Sequence, residues 1–295
     1  MTARFPSSVP EVVERLGSAG YIADTPVATT VFLALRLGKP LLVEGPAGVG
    51  KTELAKATAR SSGLELVRLQ CYEGLDEARA LYEWNYRKQL LRIQADEARE
   101  HSWSELEDSI FDEAFLLERP LLKAIRSVEP VVLLVDEVDR TEFEFEAFLL
   151  ELLSDFQVTL PELGTLVARH IPVVFLTSNA TRELSEALKR RCLYLYMDYP
   201  EQDREKQIIL SRVPELPEAL ADQMVRILHS IRQLELRKSP SISESLDWAR
   251  TILELGIGTL DETATRETLA VILKHRQDLD RVTRELKLSA QSPPR

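Results

Sequence analysis

Short apolar runs separated by helical stretches mark the first 199 residues of the chain. The runs have the length and composition of buried strands, and they lie at residues 40–44, 64–69, 131–135, 173–177 and 193–197. Between them the apolar spacing is helical, as at residues 26–37, which begin with Pro26 and end before Gly38. Strands that alternate with helices are typical of parallel βαβ units, so the pattern predicts an α/β fold with a parallel sheet.

Beyond residue 199 the pattern changes to one of helices alone. Apolar residues now repeat every three or four positions, as expected for amphipathic helices. They are Leu216, Leu220, Met224, Ile227, Leu228, Ile231 and Leu234. Ser241 with Glu244, and Thr259 with Glu262, have the capping-box spacing that begins a helix. The sequence therefore predicts an all-helical region without further strands.

These two patterns predict two domains. We expect an α/β domain over residues 1–199 and a small all-α domain over residues 200–295, with a frayed end at LSAQSPPR. The length of 295 residues agrees with this division, since domains average ~150 residues.

Composition and charge exclude several classes of protein. A hydrophobic content of 44% is that of an ordinary globular chain, and a net charge of -11 argues against a broad basic surface for duplex nucleic acid or anionic lipid. A local basic groove is still compatible with this charge. Every apolar run is far shorter than the ~20 residues of a membrane span, and the N-terminal residues lack the apolar segment of a secretory signal. We therefore expect a cytoplasmic protein without a membrane span, whose Cys71 and Cys192 are reduced. The acidic residues between 93 and 118 indicate a solvated helical face or, less simply, a partner-binding surface.

The most specific motif is GPAGVGKT, which matches the phosphate-binding loop of nucleotide-binding proteins. It consists of Gly45, Pro46, Ala47, Gly48, Val49, Gly50, Lys51 and Thr52. Glycines let successive backbone N–H groups point at phosphate oxygens, and the following helix adds its N-terminus. Lys51 would supply a positive charge to the β- and γ-phosphates, and Thr52 a hydroxyl ligand for Mg²⁺. The sequence thus predicts ATP and Mg²⁺ as cofactors.

Two carboxylates follow the third apolar run, in VVLLVDEVDR. Asp136 at the end of this strand suits a magnesium site, and Glu137 suits the group that polarises an attacking water. An Asp-Glu pair after a strand is often only a solvated turn. The phosphate loop upstream favours the catalytic interpretation.

Polar and basic residues after the fourth run are further candidates. Asn179, beside Ser178, ends a strand and would reach the γ-phosphate or the water beside it, although it is also an ordinary turn residue. Arg190 and Arg191 end a helix, where cations suit the helix dipole. Alternatively, one of them is an arginine finger that reaches the ATP of a neighbouring subunit.

The order GPAGVGKT, LLVDEVDR, LTSN, a helix ending in an Arg pair and a helical lid resembles the AAA+ ATPases. Within that superfamily, the segments YEGLD, YEWNY, LKRRCLYL and ESLDWAR resemble the MoxR family. The closest resemblance is to the CoxD-like branch, which is associated with carbon monoxide dehydrogenase maturation. The resemblance implies a P-loop fold with strand order 5-1-4-3-2, a homo-oligomeric hexameric ring and a protein client. A von Willebrand factor A-domain partner is also implied.

The resemblance also assigns roles to single residues. It makes Asn179 the sensor 1 residue, Arg191 the preferred finger with Arg190 second, and Tyr21 with Ile22 the residues that pack the adenine.

The lid departs from the family pattern. Ser243 stands near the position where many relatives have a sensor arginine. Either Arg237 or Arg250 substitutes for it, or the lid does not read the γ-phosphate in the usual way.

Several functions remain compatible with this pattern. The leading hypothesis is an ATP-hydrolysing chaperone that helps to build a metal centre in a partner oxidoreductase. A chelatase-like motor subunit and a nucleic-acid motor are the alternatives, the second disfavoured by charge. The aromatic segment at residues 72–88 resembles the helix-2 insert that faces the client, although core packing is equally compatible. The four histidines show no metal-ligand spacing.

Overall fold

The computed structural model describes residues 5–96, 112–160 and 164–286. Most of the acidic stretch between residues 93 and 118 lies outside these ranges. The strands are β1 (Leu41–Glu44), β2 (Glu65–Gln70), β3 (Tyr82–Trp84), β4 (Leu116–Glu118), β5 (Val131–Asp136), β6 (Gln157–Leu160), β7 (Gly164–Val167), β8 (Val173–Ser178) and β9 (Leu193–Tyr196). The helices of the α/β part are α1 (Val9–Ser18), α2 (Thr25–Leu37), α3 (Lys51–Ser62), α4 (Glu77–Leu81), α5 (Tyr86–Asp96), α6 (Pro120–Arg126), α7 (Phe143–Asp155) and α8 (Glu186–Arg191).

A five-stranded parallel sheet forms the centre of the α/β part, in the order β2-β5-β8-β1-β9. In terms of the five predicted strands this is the order 5-1-4-3-2, so the predicted topology is confirmed. All six residues of β5 are buried, as its uninterrupted apolar run predicted. Glu44 of β1 pairs with Ser178 of β8, and Asp136 of β5 pairs with Gln70 of β2. These polar residues therefore lie at the carboxyl edge of the sheet.

Local signals explain where the helix before β1 begins and ends. The carboxylate of Asp24 accepts a hydrogen bond from the backbone N–H of Val27, and this caps the first turn of α2. Pro26 stands in the first turn, and Gly38 adopts the left-handed conformation that ends the helix. The predicted helix is confirmed, with its start one residue earlier.

Two small antiparallel pairs accompany the main sheet. Strands β6 and β7 pair with each other, with Gln157 opposite Val167. The pair of β3 with β4 was not predicted, since its strands lie far apart in the sequence. It buries Trp84 against the core, whereas Tyr86 and Tyr72 are exposed, so the aromatic segment is divided between packing and surface.

Beyond residue 199 the described chain is entirely helical. Its helices are α9 (Gln202–Arg212), α10 (Glu218–Arg232), α11 (Ile242–Glu254), α12 (Glu262–Ile272) and α13 (Arg276–Glu285). The predicted capping box of Ser241 and Glu244 begins α11. The one predicted at Thr259 is wrong, because Asp261 caps α12 and its carboxylate accepts from the N–H of Ala264. A carboxylate two residues closer to the helix thus replaces the hydroxyl of Thr259.

Contacts divide the described chain into two compact units. Unit 1 comprises the residues up to Arg15 together with Asp24–Glu44 and Thr52–Tyr196, and it contains the sheet. Unit 2 comprises Leu16–Ala23, Gly45–Lys51 and the residues from Met197 onward. The phosphate-loop segment is thus grouped with the helical residues. Among the described residues, no helix has the length and apolar character needed to cross a membrane.

A buried ion pair organises unit 2. Arg232 donates from both terminal nitrogens to Glu205, at 2.5 and 2.7 Å, and Glu205 is only 1% exposed. The same guanidinium donates to the carbonyl of Pro240 at 2.8 Å and lies over the Tyr199 ring at 4.7 Å. Ser245 completes the network by donating to Glu205 at 2.8 Å. The ion pair therefore fixes the turn that leads into α11.

We predict that Arg232→Ala lowers the free energy of unfolding by about 3–5 kcal/mol, because it leaves the Glu205 carboxylate buried without a counter-charge. Arg250→Ala is the matched control, since the exposed Arg250 pairs with the exposed Asp247 at 3.2 Å. The control should cost less than about 1 kcal/mol. Urea denaturation followed by circular dichroism measures both values. Equal losses in the two variants would contradict the structural role of the buried pair.

Candidate functional site

The phosphate loop connects β1 to α3, as the motif predicted, and its lysine is buried. Lys51 is 6% exposed, and its ammonium donates to the carbonyls of Gly45 and Pro46 at 2.7 Å each. Gly45 and Val49 are buried, whereas Ala47 is exposed. The ammonium group of Lys51 is thus held by two backbone carbonyls of the loop itself.

Two glycines of the loop are required by their surroundings. Gly45 has φ 151°, and a Cβ there would stand 1.9 Å from the backbone oxygen of Met197. Gly48 has φ 77°, and a Cβ there would stand 2.4 Å from both Cβ and Oγ of Ser241. Since L side chains rarely adopt such φ values, glycine is favoured at both positions by conformation as well as space. The start of α11 therefore lies directly against the loop.

Tyr21 also lies against the loop, within unit 2. Its side chain is buried, its hydroxyl contacts the sulfur of Met197 at 3.9 Å, and its ring is 3.7 Å from the Cβ position of Gly50. Ile22 is half-buried, and its carbonyl accepts from Arg204 at 2.9 Å. Both residues predicted to pack the adenine thus belong to the same unit as the loop.

The strand-end carboxylate of Asp136 accepts hydrogen bonds from three side chains of unit 1. It is 2% exposed, and its Oδ1 accepts from the hydroxyls of Thr52 at 2.9 Å and Thr177 at 2.5 Å. Its Oδ2 accepts from Arg68, at 3.0 Å from Nε and 2.5 Å from Nη2. The structure therefore brings Thr52 and Asp136, the two predicted magnesium ligands, into direct contact.

Glu137 follows in an unusual backbone conformation. Its φ of 59° and ψ of 49° lie in the left-handed region, which non-glycine residues rarely occupy. Its N–H donates to the hydroxyl of Thr177 at 2.9 Å, and its carboxylate pairs with Arg140 at 2.6 Å. Ala180, directly after Asn179, has a φ of 56°. Strained backbone of this kind concentrates at functional sites. Both positions are therefore consistent with a candidate site at this edge of the sheet.

Asp139 ties the turn after β5 to the turn after β8. Its buried carboxylate accepts from the N–H of Asn179 at 3.1 Å, and from the N–H and hydroxyl of Thr181 at 3.0 and 2.6 Å. Burial alone would raise the pKa of Asp139, but the hydrogen bonds from Thr181 and Asn179 outweigh it and hold this pKa below its ordinary value. The half-buried Asn179 is thereby fixed through its backbone.

The two candidate finger arginines end α8 and are both exposed. Arg191 donates to the hydroxyl of Ser154 at 2.7 Å and to the carbonyl of Ala187 at 3.3 Å. Arg190 has no hydrogen bond or ion pair with any residue that the structure describes. An arginine without an internal partner is the more readily available to a neighbouring molecule.

Unit 2 places serines at the phosphate loop. A Cβ on Gly48 would stand 3.8 Å from the hydroxyl oxygen of Ser243, close behind Ser241. Arg250 is exposed and pairs with Asp247 at 3.2 Å, and the exposed Arg237 is held by its backbone N–H, which donates to Asp278.

Two other groups near the sheet edge, Tyr194 and Cys71, have raised pKa values. Burial, together with the hydrogen bond to the Glu44 carboxylate at 2.8 Å, raises the pKa of Tyr194 to about 12. Burial and the nearby charge of Asp136 raise the pKa of Cys71 to about 12. Cys71 is therefore a thiol at neutral pH and not a nucleophile.

The donor set at Asp136 suits a hard divalent cation. A threonine hydroxyl and a carboxylate 2.9 Å apart are oxygen ligands of the kind that Mg²⁺ takes together with waters and phosphate oxygens. Among the described residues, no cluster of three His, Cys, Asp or Glu side chains has the arrangement of a metal site. The residues therefore fit a cation held jointly with a nucleotide.

Motif reasoning missed three residues of this edge. Arg68, Thr177 and Asp139 all bond to predicted site residues. Each stands within three residues of a strand end. Position at the carboxyl edge of a parallel sheet was the signal available for finding them.

The fold and this edge define the class: the chain has an AAA+ P-loop ATPase fold, with a parallel five-stranded sheet followed by a helical region. The family model of the AAA domain (dynein-related subfamily) matches residues 40–192. The chain belongs to this family.

Curated relatives extend the similarity beyond the family model. Gas vesicle ATPase GvpN of Haloferax mediterranei is 27% identical over 222 residues, which cover 72% of this chain and 61% of that protein. Gas vesicle ATPase GvpN1 of Halobacterium salinarum is 27% identical, covering 68% of this chain and 58% of that one. The uncharacterized protein SH1500 of Staphylococcus haemolyticus is 24% identical, covering 79% and 82%. The chain therefore matches less than two thirds of either gas vesicle ATPase.

A crystal structure from Cytophaga hutchinsonii shows a weaker similarity. It has 17% identity and a TM-score of 0.48, covering 76% of this chain and 63% of that one.

We predict that Gly48→Ala destabilises the protein and that Ser241→Gly partly rescues it. In Gly48→Ala, the left-handed φ costs about 1–2 kcal/mol and the clash with Ser241 costs about 1–3 kcal/mol. Ser241→Gly removes the clash but not the cost of the left-handed φ. Ser241→Gly alone should cost a few tenths of a kcal/mol, since glycine is a tolerated helix cap.

Gly45→Ala is the matched control for this rescue. Its Cβ would meet the backbone of Met197, which Ser241→Gly does not alter. Urea denaturation of the two alanine variants, each with and without Ser241→Gly, measures the coupling. Equal rescue of both, or of neither, would contradict the contact between Gly48 and Ser241.

Proposed function

We propose that the protein hydrolyses ATP to ADP and phosphate with its own strand-end and phosphate-loop residues. The loop N–H groups and Lys51 bind the phosphates, and Thr52 with Asp136 would hold Mg²⁺. Bound Mg²⁺ would neutralise charge on the β- and γ-phosphate oxygens. Glu137 orients the attacking water and takes up its proton, and Asn179 assists at the γ-phosphate.

The single observation that carries this proposal is the hydrogen bond between Thr52 and Asp136, at 2.9 Å. It joins the hydroxyl that follows the phosphate loop to a carboxylate whose side chain is 3% exposed. A solvated turn, the alternative considered for this carboxylate, would leave it in water. A buried acid costs free energy unless it is paired, which supports a functional reason for its position.

The side chain of Glu137 is less buried than that of Asp136. Its side chain is half-buried and is bonded to the exposed Arg140, at 2.6 Å. An ion pair with such an exposed partner is weak, on the order of 0–1 kcal/mol, so the carboxylate is able to leave it for a water.

We propose further that a second copy of the chain completes the site. Arg190 and Arg191 are exposed at the end of α8, where a guanidinium reaches another subunit without disturbing the core. A hexameric ring with ATP between subunits follows from the resemblance to the MoxR family. Domains spanning residues 1–199 and 200–295, with Tyr21 and Ile22 packing the adenine, are part of this proposal.

The cellular role we propose is remodelling of a protein client in the cytoplasm. The MoxR-like segments support the remodelling role, and the relatives named as gas vesicle ATPases support ATP hydrolysis. The CoxD-like resemblance favours metal-centre maturation of a carbon monoxide dehydrogenase-like enzyme, together with a von Willebrand factor A-domain partner. A chelatase-like motor subunit is the alternative.

Capture of the client separates these roles. A Glu137→Gln variant should hold ATP and its client together, and purification from the native host followed by mass spectrometry identifies that client. Recovery of an oxidoreductase supports the maturation role, whereas recovery of a chelatase partner subunit contradicts it.

We predict that Lys51→Ala and Glu137→Gln fail at different steps. Lys51→Ala should abolish nucleotide binding, because it removes the side-chain cation of the phosphate loop. Glu137→Gln should bind ATP normally but turn it over about 10²–10⁴-fold more slowly, because an amide takes up no proton.

Titration with a fluorescent ATP analogue and single-turnover hydrolysis measure the two steps. Unchanged affinity in Lys51→Ala would contradict the phosphate-loop assignment. Near-normal turnover in Glu137→Gln would mean that another carboxylate activates the water.

We predict that one arginine of α8 acts on the neighbouring subunit. Arg191→Ala, or failing that Arg190→Ala, should bind ATP normally yet hydrolyse it ~10³-fold more slowly. Co-expressing the slow variant with Lys51→Ala should restore activity, because an intact pocket then meets an intact finger.

The ATPase rate of verified mixed oligomers decides between the two arginines. Rescue with Arg190→Ala but wild-type turnover in Arg191→Ala would assign the finger to Arg190. Failure of both mixtures would contradict a site shared between subunits.

A further inference from the structure

Arg68 is the cation that the described residues provide for the buried carboxylate of Asp136. Its Nε and Nη2 lie 3.0 and 2.5 Å from Oδ2. The other oxygen, Oδ1, is bonded by the hydroxyls of Thr52 and Thr177. One oxygen of the carboxylate therefore has a cationic donor, Arg68, and the other has neutral hydroxyl donors.

The position of Arg68 follows from the sheet. Strand β2 runs parallel to β5, with Gln70 beside Asp136, and Arg68 stands two residues earlier on the same face as Gln70. The Gln70 side-chain oxygen also accepts from the Arg68 guanidinium. Arg68 is thus held toward the strand end although its side chain is 44% exposed.

We propose that Arg68 competes with the divalent cation for Asp136 and so sets the cation concentration at which the metal–nucleotide complex forms. This inference rests on the proposed function, since it concerns the carboxylate assigned there to Mg²⁺. Arg68 acts through Asp136 and is a positioning residue, not a catalytic one.

The competition follows from charge and geometry. A guanidinium within hydrogen-bond distance of Oδ2 repels a second cation at the same carboxylate, and it also occupies lone pairs that a metal or its waters need. Removing Arg68 leaves Asp136 still held by two hydroxyls, so the carboxylate keeps its place. Cation binding should therefore become tighter when Arg68 is removed.

Substitution of Arg68 tests the proposal. Arg68→Gln removes the charge, and Arg68→Lys keeps the charge but loses the planar fork. Lys123→Gln is the control, because Lys123 pairs with Glu65 at the opposite end of the same strand. The probe is Mn²⁺, titrated into protein in excess over ADP, with free Mn²⁺ read from its electron paramagnetic resonance signal. ADP affinity in EDTA is measured in parallel.

The Mn²⁺ midpoint should fall about fivefold in Arg68→Gln, stay unchanged in Lys123→Gln, and lie between these values in Arg68→Lys. ADP affinity in EDTA should not change. Normal ADP binding with an unchanged or raised Mn²⁺ midpoint in Arg68→Gln would overturn the proposed role of Arg68. It would leave the proposed function of the site intact.

Two further outcomes are also decisive. If Arg68→Gln does not fold, a wild-type midpoint in Arg68→Lys overturns the proposal. Failure of the wild type to bind ADP, with or without Mn²⁺, would contradict the proposed function and this inference together.

Discussion

The functional edge of the sheet depends on one buried carboxylate, that of Asp136. A charge that is 2% exposed is tolerated only when donors surround it, and here they come from three elements: Thr52 of α3, Thr177 of β8 and Arg68 of β2. Because each donor is anchored in a different element, satisfying the carboxylate also aligns those elements. The hydroxyl of Thr177 then accepts from the N–H of Glu137, so the next residue is placed by the same contacts.

Much of this arrangement could be predicted from the sequence because it rests on local signals. Short apolar runs predict the buried strands. Closely spaced glycines before Lys51 predict the phosphate loop. The pairing of β3 with β4 could not be predicted, because it joins segments far apart in the chain. Arg68 was also missed, since an arginine on a strand carries no motif and its role appears only when β2 lies beside β5.

In unit 2, too, local features could be predicted from the sequence, but contacts between distant residues could not. The spacing of Ser241 and Glu244 predicted the capping box. The buried ion pair of Arg232 with Glu205 could not be predicted, because charged residues are usually exposed. That pair fixes the carbonyl of Pro240, which directly precedes Ser241, and Ser241 lies against Gly48. The start of α11, whose preceding turn is fixed by a buried ion pair, thus contacts the phosphate loop.

On the proposed function, Asp136 serves a metal–nucleotide complex and not only the packing of the sheet. The most direct test is the Mg²⁺-dependent rate of ATP hydrolysis by Asp136→Asn, a substitution of nearly equal volume, with the wild type measured beside it. We expect the wild type to hydrolyse ATP in Mg²⁺ and the folded variant to be slower by about 100-fold or more. A folded Asp136→Asn protein with turnover close to that of the wild type would contradict this role of Asp136.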